Sequence, residues 1–209
     1  MKRSSATVLF SFAFLGLCLL SAPLLSRWLP GETSGPFNAT FTLVDDTGAN
    51  VDKSVFHGRP MLAYFGYTRC PEVCPTTLFE LSAWLQQLGP EGKDLKTYFF
   101  SVDPERDTQE VLHGYVTAFS DRIRGVTGDP AEMRKVIDGW RVYARKEPAE
   151  DGDYHMSHTM ALLMIGADGR LKGLIPYGTS AEEAISKIRT VLLKEPQQYA
   201  AADQRTNIR

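Results

Sequence analysis

Cysteine is scarce in this 209-residue chain: there are three, and one of them, Cys18, lies in an apolar N-terminal stretch. Cys70 and Cys74 are then the whole thiol complement of the remainder, and two cysteines so close together exclude a disulfide scaffold. No second pair exists to complete a zinc knuckle around them. Neither sign of charge dominates. Twenty-three Lys and Arg stand against 25 Asp and Glu, a formal net charge of −2, so nothing points to nucleic acid or to a strongly acidic partner. Internal repeats and low-complexity tracts are also missing. What is left is an ordinary globular composition, long enough for one self-supporting domain with additions.

The first addition is N-terminal. Lys2 and Arg3 form a short basic opening, and Val8 to Leu25 then runs without a charge. About 18 residues is the lower limit for a membrane-spanning helix and long for a signal-peptide core. Pro23 and Leu24 spoil the small-residue spacing that cleavage needs, and Leu17 before Cys18 is too bulky for a lipoprotein site. An uncleaved anchor is preferred to a removed signal. The expected layout is a basic cytoplasmic start at 1–5, an anchor at 6–27, a linker at 28–36, a globular domain at 37–195 and a polar tail at 196–209. The positive-inside rule places the domain across the membrane, on the periplasmic side of a single-pass inner-membrane protein.

Within the domain, Phe37, Phe41 and Leu43 followed by Asp46-Thr47-Gly48 suggest a small hairpin. The nearly continuous apolar run Pro60 to Tyr67 predicts a strand buried on both faces. A helical pattern runs from Thr76 to about Leu88, with Leu78, Leu81, Leu85 and Leu88 on one face. Leu95 to Val102 reads as a second buried strand, Thr108 as the cap of a helix to Phe119, and Ile123 to Val126 as a short strand. Pro130 opens a helix to Gly139, and Tyr143 to Lys146 follows as a short strand. After a polar loop from Glu147 to Asp153, His158 to Ile165 reads as a strand that hairpins back through Leu171 to Ile175. Thr179 or Ser180 caps a last helix from Ala181 to Leu193. This order gives an α/β domain with a mixed sheet flanked by helices, of thioredoxin-like arrangement.

Cys70-Pro71-Glu72-Val73-Cys74 stands where the first buried strand hands over to a helix. That is the usual end of an open α/β sheet for a site. The positive end of the helix, with Arg69 beside it, favours thiolate, the form that binds soft metals and attacks disulfides. A C-x-x-x-C spacing sets the second sulfur about one helical turn beyond the first, so both can face one point. The pair can be a redox couple or part of a metal site, and a metal site needs a third ligand from elsewhere. Among His57, His113, His155 and His158, the last ranks first, because it opens a strand whose start faces the cysteine loop in such a fold. His155 ranks second and points to the other strand face; Met156 is a soft alternative. Two thiolates and one imidazole suit copper, Cu(I) or Cu(II), better than zinc.

Tyr64-Phe65-Gly66-Tyr67-Thr68-Arg69-Cys70-Pro71-Glu72-Val73-Cys74-Pro75-Thr76 closely resembles the signature of the Sco/SenC family of copper chaperones. Phe100 to Thr108 and Ser157-His158-Thr159 resemble its second and third signatures. The resemblance runs from Phe37 to about Leu193. It implies copper binding by Cys70, Cys74 and His158, and a role in assembling the copper centre of a respiratory cytochrome c oxidase. That role would be copper delivery or thiol reduction. The implied partners are the oxidase's copper-site subunit, a further copper chaperone or a thiol reductant, and the membrane through the N-terminal helix. Glu72 and Ser157 depart from the family's usual acids without removing a ligand, and Asp103 is placed to influence metal release. The competing reading is a thiol-disulfide oxidoreductase or peroxidase using Cys70 and Cys74 as its redox pair; His158 discriminates, since such an enzyme has no need of an imidazole there.

Overall fold

The computed structural model describes residues 37–149 and 152–194; the anchor, the linker and the polar tail lie outside the described residues. Among the described residues no helix is long and apolar enough to cross a membrane.

The centre of the molecule is β3 (Met61–Gly66), in which every residue is buried. The apolar run from Pro60 demands this, because both of its faces must be covered. One edge of β3 pairs in parallel with β4 (Lys96–Ser101), from Met61 opposite Lys96 to Gly66 opposite Ser101. The other edge pairs antiparallel with β8 (Ala161–Ile165). Around this core lie β1 (Leu43–Asp45), β2 (Asn50–Val51), β5 (Arg124–Thr127) and β9 (Leu171–Pro176), which complete a mixed seven-stranded sheet of order β2-β1-β5-β4-β3-β8-β9. The expected α/β class with a mixed sheet is observed.

The helices cover it by the apolar stripes their sequences carry. In α1 (Val73–Leu88) the stripe Leu78, Leu81, Leu85 and Leu88 is buried, with Trp84 beside it. The helix starts three residues before the expected Thr76. Pro75 does not prevent this, because in the first turn a missing N–H forfeits no intrahelical bond. Thr108 caps α2 (Gln109–Thr117) by accepting from Val111 N–H at 3.3 Å. Asp129 caps α3 (Pro130–Gly139) through Ala131 and Glu132 N–H, and Ser180 caps α4 (Ala181–Lys194) through Glu183 N–H. On the sheet, Phe56, Phe65 and Phe100 stack at 5.1–5.7 Å, and Phe37 and Trp140 close that cluster.

Two expectations are corrected. The expected hairpin is present as β1–β2, turned by an Asx loop in which Asp45 accepts from Thr47 and Ala49 N–H, but its first strand begins at Leu43, so Phe37 and Phe41 are core residues ahead of it. His158 does not open the core strand. It ends a separate strand, β7 (Tyr154–His158), which pairs antiparallel with β6 (Ala144–Pro148) in a two-stranded ribbon outside the main sheet. The core strand β8 begins only at Ala161.

Candidate metal centre

The loop between β3 and α1 carries both cysteines, and its anchor is a buried acid. Asp107 accepts from Thr68 N–H at 3.1 Å, Thr68 hydroxyl at 2.6 Å and Ser101 hydroxyl at 2.7 Å. Burial pushes its carboxyl above the usual range, and these donors pull it back. The bonds fix the chain two residues before Cys70 to the end of β4.

Cys74 is fully buried in the first turn of α1, and Cys70 is half-buried just before it; both are free thiols. Cys74 N–H points at Cys70 Sγ, 3.4 Å away, so the helix start offers its unpaired amide to that sulfur. The Cys70 thiol is drawn down to about 3, first by the hydrogen bond with Cys74, then by His158 and the backbone N–H groups of Cys74 and Glu72, against the opposing effect of burial. Cys74 moves the other way, because Cys70 holds its proton and burial disfavours a second charge. The pair thus shares one proton readily and surrenders the last with difficulty. Arg69, expected to add a favourable charge, is instead mostly exposed and pairs with Asp153 at 3.4 Å.

His158 arrives at the end of β7. Its Nδ1 lies 3.1 Å from the Thr159 carbonyl, which can only accept, so Nδ1 carries a proton and Nε2 faces Cys74 Sγ at 3.5 Å. The Cys70 and Cys74 sulfurs and a His158 ring nitrogen all lie within 4.8 Å of one another, a set able to hold one metal ion. Tyr64 and Tyr67 stand edge-on to the imidazole, with ring centroids 6.1 and 5.8 Å away. His155 lies on the exposed face of β7 opposite Glu147, outside this set. His113 binds buried Asp46 at 2.9 Å, and the His57 ring packs over Gly169; neither joins the centre. Met156 is buried on the core face of β7.

Sequence reasoning missed what holds the ribbon. Asp103, fully buried, accepts from Tyr154 hydroxyl at 2.7 Å and from Arg106 Nε. The Arg106 guanidinium lies over the Tyr154 ring at 3.6 Å and donates to Asp153 and to the Tyr154 carbonyl. Asp103 is therefore tied to the strand bearing His158. The i, i+3 spacing of Asp103 and Arg106 was the one visible signal, and it said nothing about Tyr154.

Gly66 shows how closely the sulfur is packed. A Cβ there would lie 2.8 Å from Cys74 Sγ and 2.9 Å from Phe99 Cε2. Gly66→Ala is expected to displace the sulfur and to cost about 1–3 kcal/mol of stability through overpacking. Urea denaturation and copper titration of the variant check both effects, and two wild-type results would contradict the packing argument.

Comparison with known proteins gives a consistent picture. A family model described as SCO1/SenC matches residues 31–193. A solved structure of Bradyrhizobium japonicum ScoI with copper bound is 41% identical, with a TM-score of 0.68, covering 74% of this chain and 99% of that one. Yeast Sco1 with copper bound is 26% identical, with a TM-score of 0.68, covering 83% and 96%. The human mitochondrial SCO1 homolog is 38% identical over 153 residues, 72% of this chain and 51% of its own length. The mitochondrial SCO1 homolog 1 of Arabidopsis thaliana is 32% identical over 171 residues, 81% of this chain and 50% of its own. The chain thus spans about half the length of these two curated relatives.

Proposed function

Because the chain belongs to the SCO1/SenC family, we propose that it is a membrane-anchored copper-binding assembly factor that delivers copper to, or reduces the thiols of, the copper site of a respiratory cytochrome c oxidase. Copper is the cargo, held by Cys70, Cys74 and His158. The observation that carries this reading is the convergence of two sulfurs and an imidazole nitrogen within 4.8 Å at the start of α1. Soft sulfur and imidazole donors in a three-ligand set suit copper by ligand type. Solved relatives described with copper bound support the same cargo. The uncharged run after Lys2 and Arg3 supports a single N-terminal anchor with the domain on the periplasmic side.

One observation favours thiol reduction as the second activity: Cys70 is drawn towards thiolate beside a protonated Cys74, the state of an attacking thiol with its resolving partner. The two readings share the same sulfurs and differ in their use of His158.

The reduced full chain in detergent, offered copper, is expected to bind one ion per molecule and to pass it to the apo copper-site subunit of the oxidase. Mass spectrometry under native conditions reads both steps. Absence of bound copper in the reduced chain would refute the reading. Binding without transfer, together with reduction of the subunit's disulfide, would select thiol reduction over delivery.

A further inference from the structure

The phenol of Tyr64 is buried, and a buried Tyr O–H needs a partner. Its strand gives it little freedom, since β3 is paired on both edges at this residue, with Phe99 and with Leu162. The ring packs against Phe99 at 5.9 Å on one side and against the His158 edge on another. The hydroxyl thereby reaches Cys74 Sγ at 3.7 Å, within hydrogen-bond range for sulfur. The neighbouring Thr77 hydroxyl gives its own proton to Val73 carbonyl at 2.7 Å, so towards the phenol its oxygen acts as an acceptor beside Cys74 Sγ.

We propose that Tyr64 is a positioning residue whose hydroxyl donates a hydrogen bond to Cys74 Sγ, stabilising that sulfur in its reduced and metal-bound forms. This rests on the copper reading above and adds to it a group that touches one ligand without being one. A Cys74 sulfur that shares the pair's one proton with Cys70, or a sulfur bonded to metal, carries more negative charge than a disulfide sulfur and is the better acceptor. The bond therefore favours the reduced pair over the oxidised one. The oxidation at issue converts the protein dithiol and one glutathione disulfide into the Cys70–Cys74 disulfide and two glutathione thiols. Two electrons pass from the protein sulfurs to glutathione, and the two thiol protons end on its sulfurs.

Tyr64→Phe deletes the hydroxyl and keeps the ring. Equilibrated in glutathione buffers without metal, the variant is expected to show an oxidation constant about fivefold larger than wild type, the size of one net hydrogen bond. With copper(II) bound, its sulfur-to-copper charge-transfer band is expected at longer wavelength, because a sulfur without a donor holds its electrons less tightly. Both shifts, with a thermal midpoint close to wild type, support the assignment. An unchanged oxidation constant overturns it, as does a change in thermal midpoint alone, which would assign the phenol to packing. If wild type binds no copper, the metal reading fails, and the glutathione equilibrium still decides the role of Tyr64.

Discussion

His158→Ala is expected to lose copper affinity by about a hundredfold to a thousandfold while keeping its fold. The magnitude follows from ligand number: four-ligand structural metal sites are worth roughly 10–16 kcal/mol, so removing one donor costs about 3–4 kcal/mol, each 1.4 kcal/mol being tenfold. The fold should survive because the ribbon is held elsewhere, by Tyr154 on Asp103 and by Arg106 on Asp153 and the Tyr154 carbonyl. The side chain removed is only half-buried and ends its strand. The variant leaves two sulfurs at the start of α1, a pair that can still capture copper(I) weakly but cannot complete the three-donor set. Competition with a chelator of known affinity gives the constant, and circular dichroism reports the fold. An unchanged constant in a folded variant would remove His158 from the centre.

The second large effect is oxidation. Cys70 and Cys74 are free thiols whose sulfurs fall within the same 4.8 Å cluster, so a two-electron oxidant can join them. Joining them consumes both thiols and leaves no thiolate for a metal. The oxidised chain is therefore expected to lose nearly all copper binding, and dithiothreitol to restore it. The disulfide and copper-bound states are therefore expected to exclude one another, so that a thiol reductant gates loading. Intact mass, two hydrogen atoms lighter after oxidation, verifies the disulfide before copper is offered. Retention of copper at the reduced level would mean that His158, His155 and nearby carboxylates bind the ion without sulfur.

Much of this architecture is legible in the sequence, for a simple reason. Where a segment must be dry on both sides it has no room for polar residues, so Met61 to Gly66 announces itself. The helices declare their buried stripes, their caps at Thr108 and Ser180, and the start at Pro130. The cysteines are legible as a site because a strand-to-helix junction is a poor place for inert thiols. Of the ribbon, the strand at Tyr143 to Lys146 is legible and corresponds to β6, but its partner β7 is not. In Tyr154 to His158 only Met156 is buried, and the strand packs no apolar face that would set a period. The sequence singles out His158 but places it on the core strand, whereas it ends β7. Tyr64 and Asp107 were invisible for opposite reasons. An aromatic inside an apolar run reads as core, and a carboxylate after Pro104-Glu105-Arg106 reads as solvated. Only the tertiary fold brings the phenol to Cys74 and the carboxylate to Thr68.

That ribbon has a consequence for how the centre comes apart. The two sulfurs belong to the cooperative unit of the seven-stranded sheet, whereas the imidazole rides on two strands that form a sheet of their own. Two strands alone are marginal in water, and these depend on a clamp of Tyr154, Asp103 and Arg106. Subglobal opening draws on the least stable unit first. Withdrawing the third donor therefore costs only the melting of that ribbon, far less than global unfolding. The sheet positions the two sulfurs and the ribbon positions the imidazole, so opening of the ribbon is expected to open the three-donor set while the sheet stays folded.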